Sequence, residues 1–523
     1  MTRIALLLAA ALLALPAATP ADVQLPPVIS SHMVLQRDMN VPIWGTAAPG
    51  EKITVTFRTQ SKEAVADAQG KWLVRLDPLQ AGGPDPLTVA GANTVKLDDV
   101  LVGEVWVGSG QSNMAGTAGG YAKNDQVLAK LVSTSYPKVR LMKVGYKTWQ
   151  EATDKTLPGF SALLVAFGLP LHKDMDVPVG LMLGAVGGTP SGNWVSQAAV
   201  DADPACKQAI AQALKTYDAD KAQKDYQRQL DQWTKAVEAF RAEKAKDPKA
   251  KNKREPRKPS PPAAPGQCTR GRMGNLYDAH IRPLVPFGIR GVLWDQGESG
   301  TAVTGIDQYA LMGALISGWR KDWGQGEFPF LYIQKPSGGG CAMDPSDPVT
   351  CKGDKFVPLP AAPPASNAGF SRELHIRIMK HPNTAMAIAT DLGPGVHPTN
   401  KSGYGARAAR VAAGFVYGKK TEYYGPLYQS HQIDGAKVRV RFTHVGGGLV
   451  AAHAEKLQGF LIAGADKKFV WADATIDGES VVVSSEKVPT PVAVRYAWDR
   501  NSPWANLFNK DGLPAQTFRT DDW

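Results

Sequence analysis

Four near-continuous apolar runs, each closing on a short polar motif, constrain this chain more than any other feature. LVGEVWVG runs into SGQSNM, VPVGLMLGAV into GGTPSGNW, IRGVLW into DQGESG, and AMAIAT into DLGPGVHPTNKSGYG. A strand with one face in water alternates apolar and polar residues, whereas these runs do not alternate, so both faces need covering. Helix-like stretches separate them, together with a further run FPFLYIQ. Strands alternating with helices predict a parallel sheet wrapped on both faces, here over residues 102–418. In such a sheet ligands gather at the carboxyl ends of the strands, which is where the polar motifs fall.

The flanks have another texture. Residues 22–101 carry short alternating runs such as ITVTF and WLVRL between Gly, Pro and Asp turns, and residues 419–523 carry KVRVRFTHV, FVWADATI and VAVRYAW. Both read as antiparallel β regions around the α/β domain. A length of 523 residues with 43% hydrophobic content suits one large domain with smaller companions. Residues 1–21 hold one Arg, an apolar run from Ile4 to Leu15 and small residues from Ala17 to Ala21, the pattern of a signal peptide. The mature protein is therefore expected in a periplasm or beyond, with no membrane association. Cys206, Cys268, Cys341 and Cys351 suit an oxidising compartment, and local pairing, Cys341 with Cys351 and Cys206 with Cys268, is the expectation, with free buried thiols the alternative.

Net charge is +11, but about seven of those charges lie between Lys207 and Lys258, inside an insertion spanning about 201–266. Up to about Lys246 that insertion reads as one or two solvated helices, followed by a Lys/Arg/Pro linker. Basic residues interleaved with aromatic stacking positions are missing from it, so nucleic acid is not an expected partner.

Taken together the strand-end motifs hold the parts of acyl transfer: a hydroxyl on a tight strand-to-helix turn, a histidine to take its proton, and an acid to hold that histidine. Ser112 lies between Gln111 and Asn113 after VGSG; His397 follows a strand end and precedes Pro398; Asp391 is a short loop away. The backbone amides of Ser112 and of Gly187 or Gly188, with the side-chain amide of Gln296, are the candidate oxyanion donors. Glu298 is a candidate either for orienting the Ser112 loop or for touching substrate. Trp194, after GGTPSGN, is read as packing rather than as a sugar platform.

GQSNM, VPVGLMLGAVGGTP, PLVPFGIRGVLWDQGES and the ending from GFLIAGADKKFVW to TFRTDDW resemble the sialate O-acetylesterase family of SGNH hydrolases, as does the opening LPPVISSHMVLQRDMNVPIWG. The resemblance implies a flavodoxin-like three-layer α/β/α domain, a serine ester hydrolase without metal or organic cofactor, and removal of acetyl from an O-acetylated sugar or glycan. Carried over, the nucleophile falls on Ser112, the glycine on Gly187 or Gly188, the Gln-Gly-Glu on Gln296, Gly297 and Glu298, and the histidine on His397. Many relatives read Asp-Ile-His-Pro where this chain has Gly395-Val396-His397-Pro398, so the orienting acid is either Asp391 or absent, leaving a Ser–His dyad steered by a backbone carbonyl. The relatives' Arg-Glu-Ala-Gln reads Arg372-Glu373-Leu374-His375, a departure expected to alter a substrate contact, and Arg372 or the Lys401 region is the cation a sialate carboxylate would want. Alternatives are an acetylesterase for xylan or xyloglucan, a lipid or thioester hydrolase, and a non-catalytic carbohydrate-binding protein.

Overall fold

The computed structural model of the protein describes residues 22–246, 255–335, 337–365 and 368–523. The signal-peptide expectation and part of the basic linker fall outside them.

The apolar runs form the expected strands: β1 (Thr94–Gly110), β2 (Tyr136–Lys143), β3 (Val179–Ala185), β4 (Gly291–Asp295), β5 (Phe330–Ile333) and β6 (Thr384–Ala387). They lie in the order β6-β5-β4-β1-β3-β2, every neighbour parallel. Chain order steps to one side of β1 after β1 and crosses to its other side after β3, so the carboxyl ends of β1, β3 and β4 frame the crevice where connections diverge. Those ends are level, because Gly110 is the register partner of both Ala185 and Asp295.

Helices cover the sheet in two groups. On one face α1 (Ala162–Met175) packs with α2 (Lys401–Val411), and the approach is close enough that a Cβ on Gly405 would meet the Ala166 backbone at 2.4 Å. On the other, α3 (Gln308–Trp323) packs with α4 (Gly369–Ile378). There Trp294 stands edge-on to both Trp194 and Trp319, and such ring pairs add about 0.5–1.5 kcal/mol each beyond area burial. Trp194 is fully buried, a packing residue. The domain is thus a flavodoxin-like α/β/α sandwich.

β1 is 17 residues long and runs through the junction at 101–102. Its first half pairs with Gly82–Ala90 and Val34–Gln36 of the N-terminal β region, its second half with β3 and β4, so one strand belongs to both sheets. The C-terminal region builds antiparallel sheets around its own core, which includes Val440, Phe460, Val481 and Tyr496. The insertion carries helices Pro204–Leu214 and Ala219–Lys246, whose residues are mostly exposed.

The cysteines depart from expectation: all four are free. Cys206 is held against the Ala310 carbonyl and Cys341 against the Ala505 carbonyl, each thiol buried in a different part of the molecule, while Cys351 is exposed. Burial pushes the Cys206 and Cys341 thiols up to about 12, so neither is poised for thiolate chemistry. Among the described residues no helix is long and apolar enough to cross a membrane.

Candidate active site

β1 ends at Gly110, whose φ of +125° disfavours any side chain and whose Cβ position would lie 2.2 Å from the Asp295 carbonyl oxygen. That close approach lets Gln111 N–H bond Asp295 O at 2.9 Å, and the chain then turns at once into the short helix Ser112–Ala115. Ser112 is its first residue, half-exposed, and its Oγ lies 2.8 Å from His397 Nε2. Gly187 leaves the end of β3 directly beside it: a Cβ there would stand 3.5 Å from Ser112 Cβ. Among the described residues the N–H groups of Ser112, Gly187 and Gly188 donate to no protein acceptor. A first-turn helix amide and an exposed glycine amide thus converge where negative charge on a reacting oxygen would sit.

The two amides flanking Ser112 are held from beneath. Gln111 donates through Nε2 to Glu298 and accepts from Ser299 Oγ at 2.8 Å. Asn113 donates to Glu298 Oε1 at 3.4 Å and to the Val396 carbonyl at 3.0 Å, and accepts from Lys401 Nζ at 2.7 Å. Glu298 is paired with Lys335 Nζ at 3.0 Å, and Lys335 is also paired with Asp295 at 2.9 Å and donates to Ser337 Oγ at 2.6 Å. Burial works to raise the Glu298 carboxyl, but the Lys335 ammonium and the amide donors outweigh it and hold the group below the ordinary carboxylate range. For Lys335 burial opposes the charge, and Asp295 and Glu298 more than restore it, so the ammonium persists. A buried ionic platform therefore anchors the nucleophile turn at Gln111 and Asn113, leaving only the Ser112 hydroxyl free to react.

Beside this turn lies a cleft of about 570 Å³ bordered by Glu298, Leu374, His375, Val396 and Arg500. Burial lowers the His375 imidazole to about 4, so it presents a neutral wall. Among the described residues no group of His, Cys, Asp and Glu is arranged to hold a metal ion.

Known proteins similar to this chain are carbohydrate esterases. The family described as carbohydrate esterase, sialic acid-specific acetylesterase, matches residues 102–243. The sialate O-acetylesterases of Homo sapiens and Mus musculus are each 26% identical over 90% of this chain and 86% and 88% of theirs. The crystal structure of a carbohydrate acetylesterase from Xanthomonas citri, 28% identical, superposes over 96% of this chain and 100% of its own with a TM-score of 0.72. The chain is similar to sialate O-acetylesterases over nearly its whole length. It is accordingly a carboxylic ester hydrolase.

Within this esterase, the structure brings together Ser112, His397, Gly187, Gln111, Asn113 and Glu298, with Gly188 next in the chain at a φ of +72°. Three residues nominated from the sequence lie elsewhere. Asp391 does not meet His397: it is fully buried, and both carboxylate oxygens are bound by Arg407, at 3.1 and 2.8 Å. Among the described residues no carboxylate is hydrogen-bonded to His397. Gln296 is no oxyanion donor, because its Nε2 is spent on the carbonyls of Gly300 at 3.0 Å and Thr189 at 3.4 Å, tying the loop after β4 to the one after β3. Arg372 is 3% exposed and bonds the carbonyls of Gly338 and Arg500, while Glu373 pairs with Arg519 at 3.1 Å; the two clamp the C-terminal β region instead of reading substrate. The following Leu374 and His375 are the residues that reach the cleft.

Sequence reasoning missed Lys335 and Arg500. Lys335 comes two residues after β5 in FLYIQK, so the rule that polar residues after apolar strands face the site would have found it. Arg500 lies in the C-terminal β region, and nothing in its sequence surroundings signals that it borders the cleft.

Proposed function

We propose that this esterase releases acetate from O-acetylated carbohydrate by way of an acyl-enzyme on Ser112. The observation that carries the reading is the 2.8 Å contact between Ser112 Oγ and His397 Nε2 beside the unengaged amides of Ser112 and Gly187. His397 takes the hydroxyl proton as Oγ attacks the acetyl carbonyl, and the oxyanion settles on those amides, each donor contributing about 2.7–4 kcal/mol to the transition state by precedent. The sugar alcohol departs with the proton from His397. Water, deprotonated by the same imidazole, then releases acetate and restores Ser112.

O-acetylated sialic acid stands first as substrate. The mammalian relatives bear that name, and exposed Arg500 on the cleft wall offers a cation for a carboxylate. Acetylated xylan or xyloglucan stands second, favoured by the burial of Arg372 and Lys401, the two cations the sequence nominated for that carboxylate. Acetate release by the purified protein on an O-acetylated sialic acid and on an acetylated xyloglucan oligosaccharide separates them. The first reading expects release from sialic acid that weakens on Arg500→Ala through KM; release from the neutral oligosaccharide alone moves the substrate to the plant glycans. Release from neither, with no hydrolysis of p-nitrophenyl acetate, would leave a carbohydrate-binding protein. A preference for p-nitrophenyl butyrate and longer esters over acetate would point to a lipid esterase.

Export to a periplasm or beyond is part of the proposal, supported by the apolar run from Ile4 to Leu15. Protein recovered outside the cytoplasm is expected to begin between residues 18 and 22 on N-terminal sequencing; an intact Met1 would sink it.

A further inference from the structure

We infer that Lys401 is a positioning residue for His397, acting through Asn113; the inference rests on the serine-esterase reading. Lys401 is the first residue of α2, whose start is capped by Asn400 accepting from Gly403 N–H at 2.9 Å and pinned by Asp125, which accepts from Ser402 N–H at 2.8 Å and Oγ at 2.7 Å. An amine there sits at the positive end of the helix dipole and, at 1% exposure, has lost its water as well. What it receives in return is specific. Its Nζ donates to Asn113 Oδ1 at 2.7 Å and lies 4.5 Å from the centre of the Tyr121 ring.

That bond fixes which end of the Asn113 amide faces which way. With the oxygen turned to Lys401, the NH₂ group is aimed at Glu298 and at the carbonyl of Val396, 3.0 Å away. Val396 immediately precedes His397, and Asn113 immediately follows Ser112. One buried amide therefore spans the nucleophile turn and the histidine loop, and a rigid helix start holds that amide. In a triad a carboxylate orients the imidazole. Here Asp391 is committed to Arg407, and the tether from Lys401 through Asn113 to the Val396 carbonyl orients the histidine through its backbone. Burial lowers Lys401 to about 7 against the pull of Asp295, Glu298 and Asp125, with Lys335 lowering it further. The amine donates to Asn113 in either protonation state, so the tether does not depend on that titration.

A double-mutant cycle on p-nitrophenyl acetate tests this. Lys401→Met keeps the aliphatic stem and deletes the donor. Alone it is expected to lower kcat about 10- to 100-fold with KM changed less than about two-fold, the pattern of a misplaced catalytic group. In a His397→Ala background the same substitution should change kcat less than about two-fold, since nothing remains to be positioned. An equal loss in both backgrounds, or no loss in the first, overturns the inference. Should Lys401→Met fail to fold, Asn113→Leu removes the middle of the tether and goes through the same cycle with the same expectations. Failure of the esterase reading looks different: the unsubstituted protein would then turn over no ester at all.

Discussion

Ser112→Ala is expected to lower kcat by about 10⁴-fold or more and to leave the unfolding midpoint where it was. The two halves of that result have separate causes. Loss of the nucleophile removes covalent catalysis altogether, and precedent puts such losses near 10⁶-fold, with only the oxyanion donors and binding left to act. Folding barely notices. The Oγ has His397 as its protein partner, the residue is half-exposed, the helix cap is Gln111, and alanine is a good helix former. His397→Ala should fall nearly as far, and the double variant no further than either single one, because serine and histidine act as one unit. Measurement of kcat on p-nitrophenyl acetate, with thermal melts of the same preparations, decides the matter: more than about one per cent of activity surviving in Ser112→Ala would sink the assignment.

How much of this was legible in the sequence depends on the range over which each signal acts. Strand ends could be read because a run buried on both faces has few polar residues, and the first ones after it mark where the chain leaves the sheet. Ser112, Gly187, Glu298 and His397 all sit at such exits, and the fold brings them to one crevice. The partners of charged residues could not be read. Asp391 stands in a loop suggestive of His397, but the group that takes it, Arg407, comes from the second turn of α2. Arg372 was assigned to substrate by analogy with a family motif, whereas its carbonyl partners are supplied partly by Arg500 in a region more than a hundred residues away. Lys335 and Lys401 are almost entirely buried, against the general tendency of lysine, and only the surrounding carboxylates and amides make that tolerable. The cysteines make the same point: a shared loop suggested pairing for Cys341 and Cys351, but one thiol faces the core and the other solvent.

Asp391→Asn should show the opposite profile to Ser112→Ala: stability falls while catalysis largely survives. The carboxylate is 0% exposed and makes paired bonds to the Arg407 guanidinium, which is itself 3% exposed. An asparagine of the same shape keeps one acceptor and loses the charge, leaving Arg407 buried with a neutral partner. Breaking one side of a buried ion pair typically costs about 3–5 kcal/mol, so a clear drop in the urea midpoint is expected. Some activity should go as well, because the pair ties the segment between β6 and His397 to α2, the helix that carries Lys401. That loss is expected to stay within about ten-fold. A triad carboxylate behaves otherwise: its conversion to the amide leaves structure intact and costs about 10⁴ in kcat. The two variables together are therefore diagnostic. A fall of a thousand-fold or more in kcat with an unchanged midpoint would return Asp391 to the imidazole and remove the need for the Asn113 tether; a lowered midpoint with most activity retained leaves Ser112 and His397 as a dyad whose geometry is set by buried amides and lysines rather than by an acid.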